Sequence, residues 1–128
     1  MVRYESDCPF CLEISQLPDH SKGHGGAFIL PDAFPVASGH LLVVPGRHVA
    51  RVEELSSDEW SDLFALVREV VREAVLEDHC DGVNIGVNSG VAAGQTVAHA
   101  HVHVIPRTSG DCLNPRGGVR RVIEVAST

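Results

Sequence analysis

Three histidines at alternate positions, His99-Ala-His101-Val-His103-Val-Ile-Pro106, are the residues of this chain most suited to chemistry. On a β-strand successive side chains alternate between faces, so the three imidazoles share one face and Ala100, Val102 and Val104 share the other. Successive rings then start about 7 Å apart at Cα, for a rise of about 3.3 Å per residue. They can reach different atoms of one ligand or share a metal. Two chemistries fit such a row. In one, histidines hold a catalytic zinc with an open position for water. In the other, one neutral imidazole is a nucleophile and a neighbour shuttles a proton. Spacing alone leaves both open. A row of solvated sheet histidines without function is the bland alternative, and the alternation with small apolar residues argues against it.

Cys8-Pro-Phe-Cys11 is a second candidate constellation. A disulfide is disfavoured in a cytosolic chain. A thioredoxin-like redox pair would follow a strand and open a helix, and only seven residues precede Cys8. As half of a tetrahedral zinc site the pair needs two more ligands. His48 and the histidine row can supply them, which makes zinc the favoured reading. Cys80 and Cys112 have no comparable partner and read as ordinary thiols. His20, His24 and His79 sit in polar or turn contexts and read as solvent-facing.

The elements that position these residues follow from periodicity and caps. The clearest is a helix over about residues 57–78. Ser56 stands at its N-cap and Glu59 at N3 as a capping box, with Leu55 and Trp60 at the positions of a hydrophobic staple. Trp60, Leu63, Phe64, Val67, Val70, Val71, Ala74 and Val75 recur at helical spacing. Gly82 suits a left-handed stop. Strand candidates are Ala27–Leu30, His40–Pro45, Val83–Asn88, His99–Ile105 and Arg121–Val125, each short and bounded by turn residues. The expectation is an α+β fold: a mainly antiparallel sheet of about five strands, the long helix, and a shorter helix or turn. Residues 16–26 read as loop, and residues 107–119 as a surface tail.

Composition bounds the function. The chain has 128 residues, 44% of them apolar, which fits one domain over residues 1–128 with a core of its own. No apolar run approaches the roughly 20 residues of a membrane span, and no apolar signal segment follows Met1, so a cytoplasmic location is expected. The net charge of −7 disfavours long nucleic acid as a partner. Residues 1–105 carry six basic and fifteen acidic side chains, whereas residues 106–128 carry four arginines against Asp111 and Glu124. Such an Arg-rich tail, with Arg116, Arg120 and Arg121, could hold a small polyanion, contact a second copy, or simply be solvated.

Taken together, the motifs resemble the histidine triad (HIT) family. The histidine row matches its pattern of three histidines alternating with apolar residues, and Gly94-Gln95-Thr96-Val97 precedes the row at the family's spacing. Leu30-Pro-Asp32 and the run from Ser38 to His48 resemble the family's first strand pair, and Asp7-Cys8-Pro-Phe-Cys11 resembles the start of its zinc-bearing, bacterial-type branch. The resemblance spans about residues 7–107, with its motifs in order.

What the resemblance implies is a nucleotide hydrolase or transferase acting at the α-phosphate of a nucleotidyl conjugate, such as a dinucleoside polyphosphate or phosphoramidate. His101 would attack phosphorus to give a covalent nucleotidyl-histidine, His103 would bind phosphate oxygen and assist the leaving group, and water would release a nucleoside monophosphate. His99 would join Cys8, Cys11 and His48 around a structural Zn²⁺. Asn88, Gly94, Gln95 and Thr96 would contact phosphate from a Gly-rich loop that lacks the Lys of a Walker motif, and Asp32 would accept from ribose hydroxyls. Phe10, Leu12 and Leu41 could wall the base or belong to the core. A homodimer is the family habit. Two rival functions are a non-catalytic nucleotide-binding adaptor and a zinc hydrolase that uses His99, His101 and His103 as open-site ligands.

Overall fold

A computed structural model describes residues 5–18 and 25–123. The chain runs α1 (Pro9–Ser15), β1 (Ala27–Pro31), β2 (Leu41–Pro45), α2 (Ser57–Leu76), β3 (Gly82–Gly86) and β4 (Val102–Arg107), with short 3₁₀ turns at Val52–Glu54, Val91–Ala93 and Gly118–Val122. The strands form one sheet in the order β1-β2-β4-β3, and every neighbouring pair is antiparallel. The expected α+β architecture is therefore present, with four strands among the described residues. The fifth strand candidate does not form over its described part. Arg121 and Val122 close the last 3₁₀ turn, whose Gly117 N-cap has a positive φ, and residues 124 and 125 lie outside the described residues, as do His20 and His24.

Alternation on the central strands builds two cores. Val43, Val102 and Val104 face α2, where they meet Leu63, Leu66, Val67 and Val70. Leu42 and Val44 point the other way, into a smaller cluster with Cys8, Phe10, Cys11 and Leu30 that seats α1. The capping box predicted for α2 is formed: Ser56 Oγ accepts from the Glu59 N–H at 3.1 Å, and Glu59 Oε1 accepts from the Ser56 N–H at 2.9 Å. Trp60 is half exposed and leans on Phe64, ring to ring at 5.1 Å. The helix ends at Leu76, two residues earlier than expected, and the left-handed residue after it is His79 (φ 56°), not Gly82. Histidine tolerates that region better than a β-branched residue would. Gly82 instead opens β3.

The histidine strand is shorter than its sequence pattern. β4 begins at Val102, so of the three histidines only His103 lies in the sheet. The cause is on the neighbouring strand, where β2 pairs with β4 only from Leu41↔Val104 to Val43↔Val102 and then reaches Pro45. Proline has no N–H to continue the ladder. The Ala100 N–H goes instead to the carbonyl of Val49 at 2.7 Å. β3 likewise stops at Gly86 and leaves Val87 and Asn88 to the following loop.

Candidate active site and metal cluster

Breaking the ladder at Pro45 frees its carbonyl, and the His99 ring takes it: Nε2–H donates to Pro45 O at 2.7 Å. That hydrogen bond fixes the tautomer and leaves the Nδ1 lone pair bare. Nδ1 faces Cys8 Sγ at 3.5 Å and Cys11 Sγ at 3.6 Å, and His48 Nδ1 lies 3.4 Å from Cys11 Sγ. All four donor atoms lie within 4.8 Å of one another. Zinc bonds of about 2.3 Å to sulfur and 2.0 Å to nitrogen at tetrahedral angles put S and N about 3.5 Å apart. The cluster therefore has the spacing of a four-coordinate metal site. Cys8 caps α1, accepting from the Cys11 N–H, which is how a two-residue spacer brings both thiols to one point. Burial pushes the Cys11 thiol up and the His99 imidazole down to about 4. Each group alone prefers its neutral form, so a buried thiolate pair here calls for a cation to take its charge. Cys80 and Cys112 stand apart as free thiols.

His101 is oriented oppositely. Its Nδ1–H donates to the carbonyl of His99 at 2.7 Å, leaving Nε2 as the unprotonated nitrogen of a neutral ring. The ring is 5% exposed and rests edge-on against Phe10, centroids 5.0 Å apart. Phe10 also meets His99 at 5.8 Å, so this residue, a base wall or a core residue by sequence, is the floor that aligns two histidines.

His103 belongs to a third arrangement. The Val36 N–H donates to His40 Nδ1 at 3.2 Å, so the proton of a neutral His40 is on Nε2, which donates to His103 Nδ1 at 2.9 Å. His103 in turn carries its own proton on Nε2. Asp32 Oδ2 lies 3.3 Å from His40 Nε2 and 3.6 Å from His103 Nδ1, while Oδ1 accepts from the Phe34 N–H. Burial, helped by the neighbouring His101 and His40, pushes the His103 pKa down, which favours the neutral ring. On its flank, His103 pairs across the sheet with Gly86, where an added Cβ would meet nothing within 4 Å. In the sequence His40 is only the start of a strand candidate and part of the run from Ser38 to His48. Its orienting contact was not legible there, because it depends on the Leu42↔His103 register.

Among the described residues the three row histidines do not converge on a point. His99 groups with Cys8, Cys11 and His48, His103 groups with Asp32 and His40, and His101 joins neither cluster. His40, His103 and Asn88 line a cleft of about 1220 Å³ that runs toward the C-terminal turn. Gly94 and Thr96 are exposed on the loop that follows Asn88. Gln95, expected to face phosphate, has its side-chain amide engaged by main chain: Oε1 accepts from the Gly90 N–H, and Nε2 donates to the carbonyls of Ala50 and Val97. Leu12 is exposed and Leu41 packs toward α2.

Comparison with known proteins agrees with this geometry. The HIT domain profile matches residues 24–110. The chain is 46% identical over 77 residues to the asymmetrical bis(5'-nucleosyl)-tetraphosphatase of Schizosaccharomyces pombe, covering 60% of this chain and 42% of that enzyme. It is 40% identical over 88 residues to the bis(5'-adenosyl)-triphosphatase of Dictyostelium discoideum, covering 69% of this chain and 59% of that one. It thus spans about half the length of these two enzymes. Among solved structures, a Zn-bound histidine triad family protein from Mycobacterium smegmatis superposes with a TM-score of 0.74 at 33% identity, covering 84% of this chain and 80% of the other. The chain belongs to the HIT domain family.

Proposed function

We propose that this protein is a nucleotidyl hydrolase or transferase that acts at the α-phosphate of a nucleotidyl conjugate, a dinucleoside polyphosphate, phosphoramidate or similar compound. The observation that carries the reading is the His101 ring, whose Nδ1–H is held by the His99 carbonyl and whose Nε2 lone pair is claimed by no metal-competent cluster among the described residues. In the first step that lone pair forms a bond to the α-phosphorus while the bond to the leaving group breaks. In this reading His103 Nε2–H gives the departing atom its proton. In the second step His103 takes a proton from water, the water oxygen bonds to phosphorus, the P–N bond breaks back onto His101, and a nucleoside monophosphate leaves. Holding the nucleophile by the His99 carbonyl and an aromatic floor fixes its angle of attack. In this reading Asn88, Gly94 and Thr96 offer donors to phosphate oxygens, and Asp32 keeps lone pairs for ribose hydroxyls beside its histidine contacts.

In the same reading Cys8, Cys11, His48 and His99 hold zinc. The donor set fits: two thiols, two imidazole nitrogens and tetrahedral spacing. When bound, the ion supplies charge neutralisation and a cross-link between α1 and the chain leading into β4, with its four protein ligands leaving no position for water. A homodimer and a cytoplasmic location complete the proposal.

Acid-quenched intact-mass analysis tests it. Wild-type protein mixed with adenosine and guanosine conjugates should show an added nucleotidyl mass that His101→Asn does not. That variant should keep nucleoside monophosphate affinity within about tenfold, or 1.4 kcal/mol. Turnover by His101→Asn at the wild-type rate overturns the covalent route. Tight monophosphate binding by wild type without adduct or turnover would make the protein a binding module instead.

A further inference from the structure

The loop between β3 and His99 is shaped by two glycines and by one side-chain amide. Gly90 sits at φ 96° and ψ 152°, and Gly94 at φ 95°, so both ends of the Val91–Ala93 turn adopt conformations that residues with a Cβ avoid. A single side chain grips this backbone from within. The Gln95 N–H donates to Gly90 O at 3.2 Å, and Gln95 Oε1 accepts from the Gly90 N–H at 2.7 Å, so residue 95 binds residue 90 through both main chain and side chain. The remaining amide protons go outward, one to Ala50 O at 2.6 Å and one to Val97 O at 2.9 Å. Ala50 lies two residues beyond His48, and Val97 accepts from the His99 N–H at 2.8 Å. One half-buried amide therefore joins the loop, the segment carrying His48 and the segment entering the histidine row. Both of its donor protons and its carbonyl oxygen are engaged by main chain before any ligand is present.

We infer that Gln95 is a positioning residue and not a phosphate ligand: its amide pre-forms the loop on which Asn88 and Thr96 present their side chains, and ties that loop to the segments bearing His48 and His99. This rests on the α-phosphate reading for what the loop holds, but not for the clamp itself. A contact from the Gln95 side chain to phosphate oxygen would have to take one of the two amide protons now given to Ala50 O and Val97 O, whereas Asn88 already lines the cleft. A flank supports the same shape. Arg51, paired with Glu53, lies under Gly90, where an added Cβ would come within 3.0 Å of its guanidinium, and Glu53 also accepts from Ser89 Oγ.

The test is made on the zinc-loaded full chain by NMR. Gln16 and Gln95 are the only two glutamines, and Gln16 is exposed, so it serves as an internal reference. In nucleotide-free wild type, the Gln95 side-chain amide protons should exchange at least about tenfold more slowly than those of Gln16. Added AMP should move the Asn88 side-chain signals more than those of Gln95. In Gln95→Ala the Gly90 amide should exchange at least about tenfold faster before any nucleotide is added, and kcat should fall while His101 remains in place. Fast exchange of the wild-type Gln95 amide, an AMP shift at Gln95 as large as at Asn88, or unchanged Gly90 protection in Gln95→Ala each overturns the inference. The wild-type measurements need no variant to fold. Failure of wild type to bind AMP or form an adduct would sink the α-phosphate reading instead, and the Gly90 measurement would still decide the clamp.

Discussion

His99 and His101 stand two residues apart, yet main-chain carbonyls orient their rings oppositely. Pro45 takes the Nε2 proton of the first and leaves Nδ1 bare among thiols, while the His99 carbonyl takes the Nδ1 proton of the second and leaves Nε2 bare. The tautomer of each ring is set by what its other nitrogen donates to. From this follows a difference between the two sites under substitution. Cys11→Ser removes a sulfur within 3.6 Å of both His48 and His99 nitrogens and substitutes a hydroxyl, a far poorer zinc ligand. Elemental analysis after dialysis should show zinc near one per chain in wild type and at least about tenfold lower in the variant. Full zinc occupancy in Cys11→Ser would discard the four-ligand assignment. The candidate ligands and nucleophile were legible in the sequence as a histidine row and a cysteine pair, divided between the two roles only by the family resemblance. Their orientations were not, because Pro45 and Phe10 carry no chemical signal in sequence and act only through the folded register.

Among the elements, α2 does more than cover the sheet. Its capping-box residue Glu59 also receives Arg47, Nε to Oε2 at 2.8 Å and a terminal nitrogen to Oε1 at 2.7 Å, and Arg47 immediately precedes His48. The helix start thereby braces the turn that presents a metal-ligand candidate. The Arg47 guanidinium holds the Glu59 carboxyl down to about 2. A carboxylate depressed in the folded state adds stability that is full above its ordinary pKa of about 4.3 and is lost as pH falls through the folded value. Glu59→Gln should therefore cost about 1–2 kcal/mol at pH 7, from a weakened cap and a lost, partly exposed ion pair. The difference from wild type in urea unfolding should stay flat down to about pH 5 and vanish toward pH 2. A difference that persists undiminished at pH 2 would show that the pair contributes no charge-dependent stability. α2 was legible because cap, period and apolar face agree over twenty residues. The strand ends were not, since a ladder stops where its partner strand loses a donor, and only the pairing shows which partner that is.

At the scale of the molecule the two cores are unequal. The larger joins α2 to β1, β2 and β4, while the smaller holds the seven residues of α1 through Cys8, Phe10 and Cys11. An isolated helix of that length is unstable in water, so α1 depends on the small core and on whatever the two cysteines bind. Removing zinc should then loosen one side of the sheet and spare the other. Hydrogen–deuterium exchange after chelation should rise across residues 5–18 and around His48 and His99, with residues 63–74 of α2 protected as before. Acid should act through the same side. In metal-free protein burial holds the His99 pKa near 4, below the roughly 6.5 of an unfolded histidine, so the unfolded chain binds a proton that the folded one does not. Stability of the metal-free form should fall as pH drops from about 6.5 toward 4, and His99→Gln should flatten that slope. Equal loss of protection in α1 and α2 on chelation would mean that the cores do not separate, and that the metal cluster supports the whole sheet.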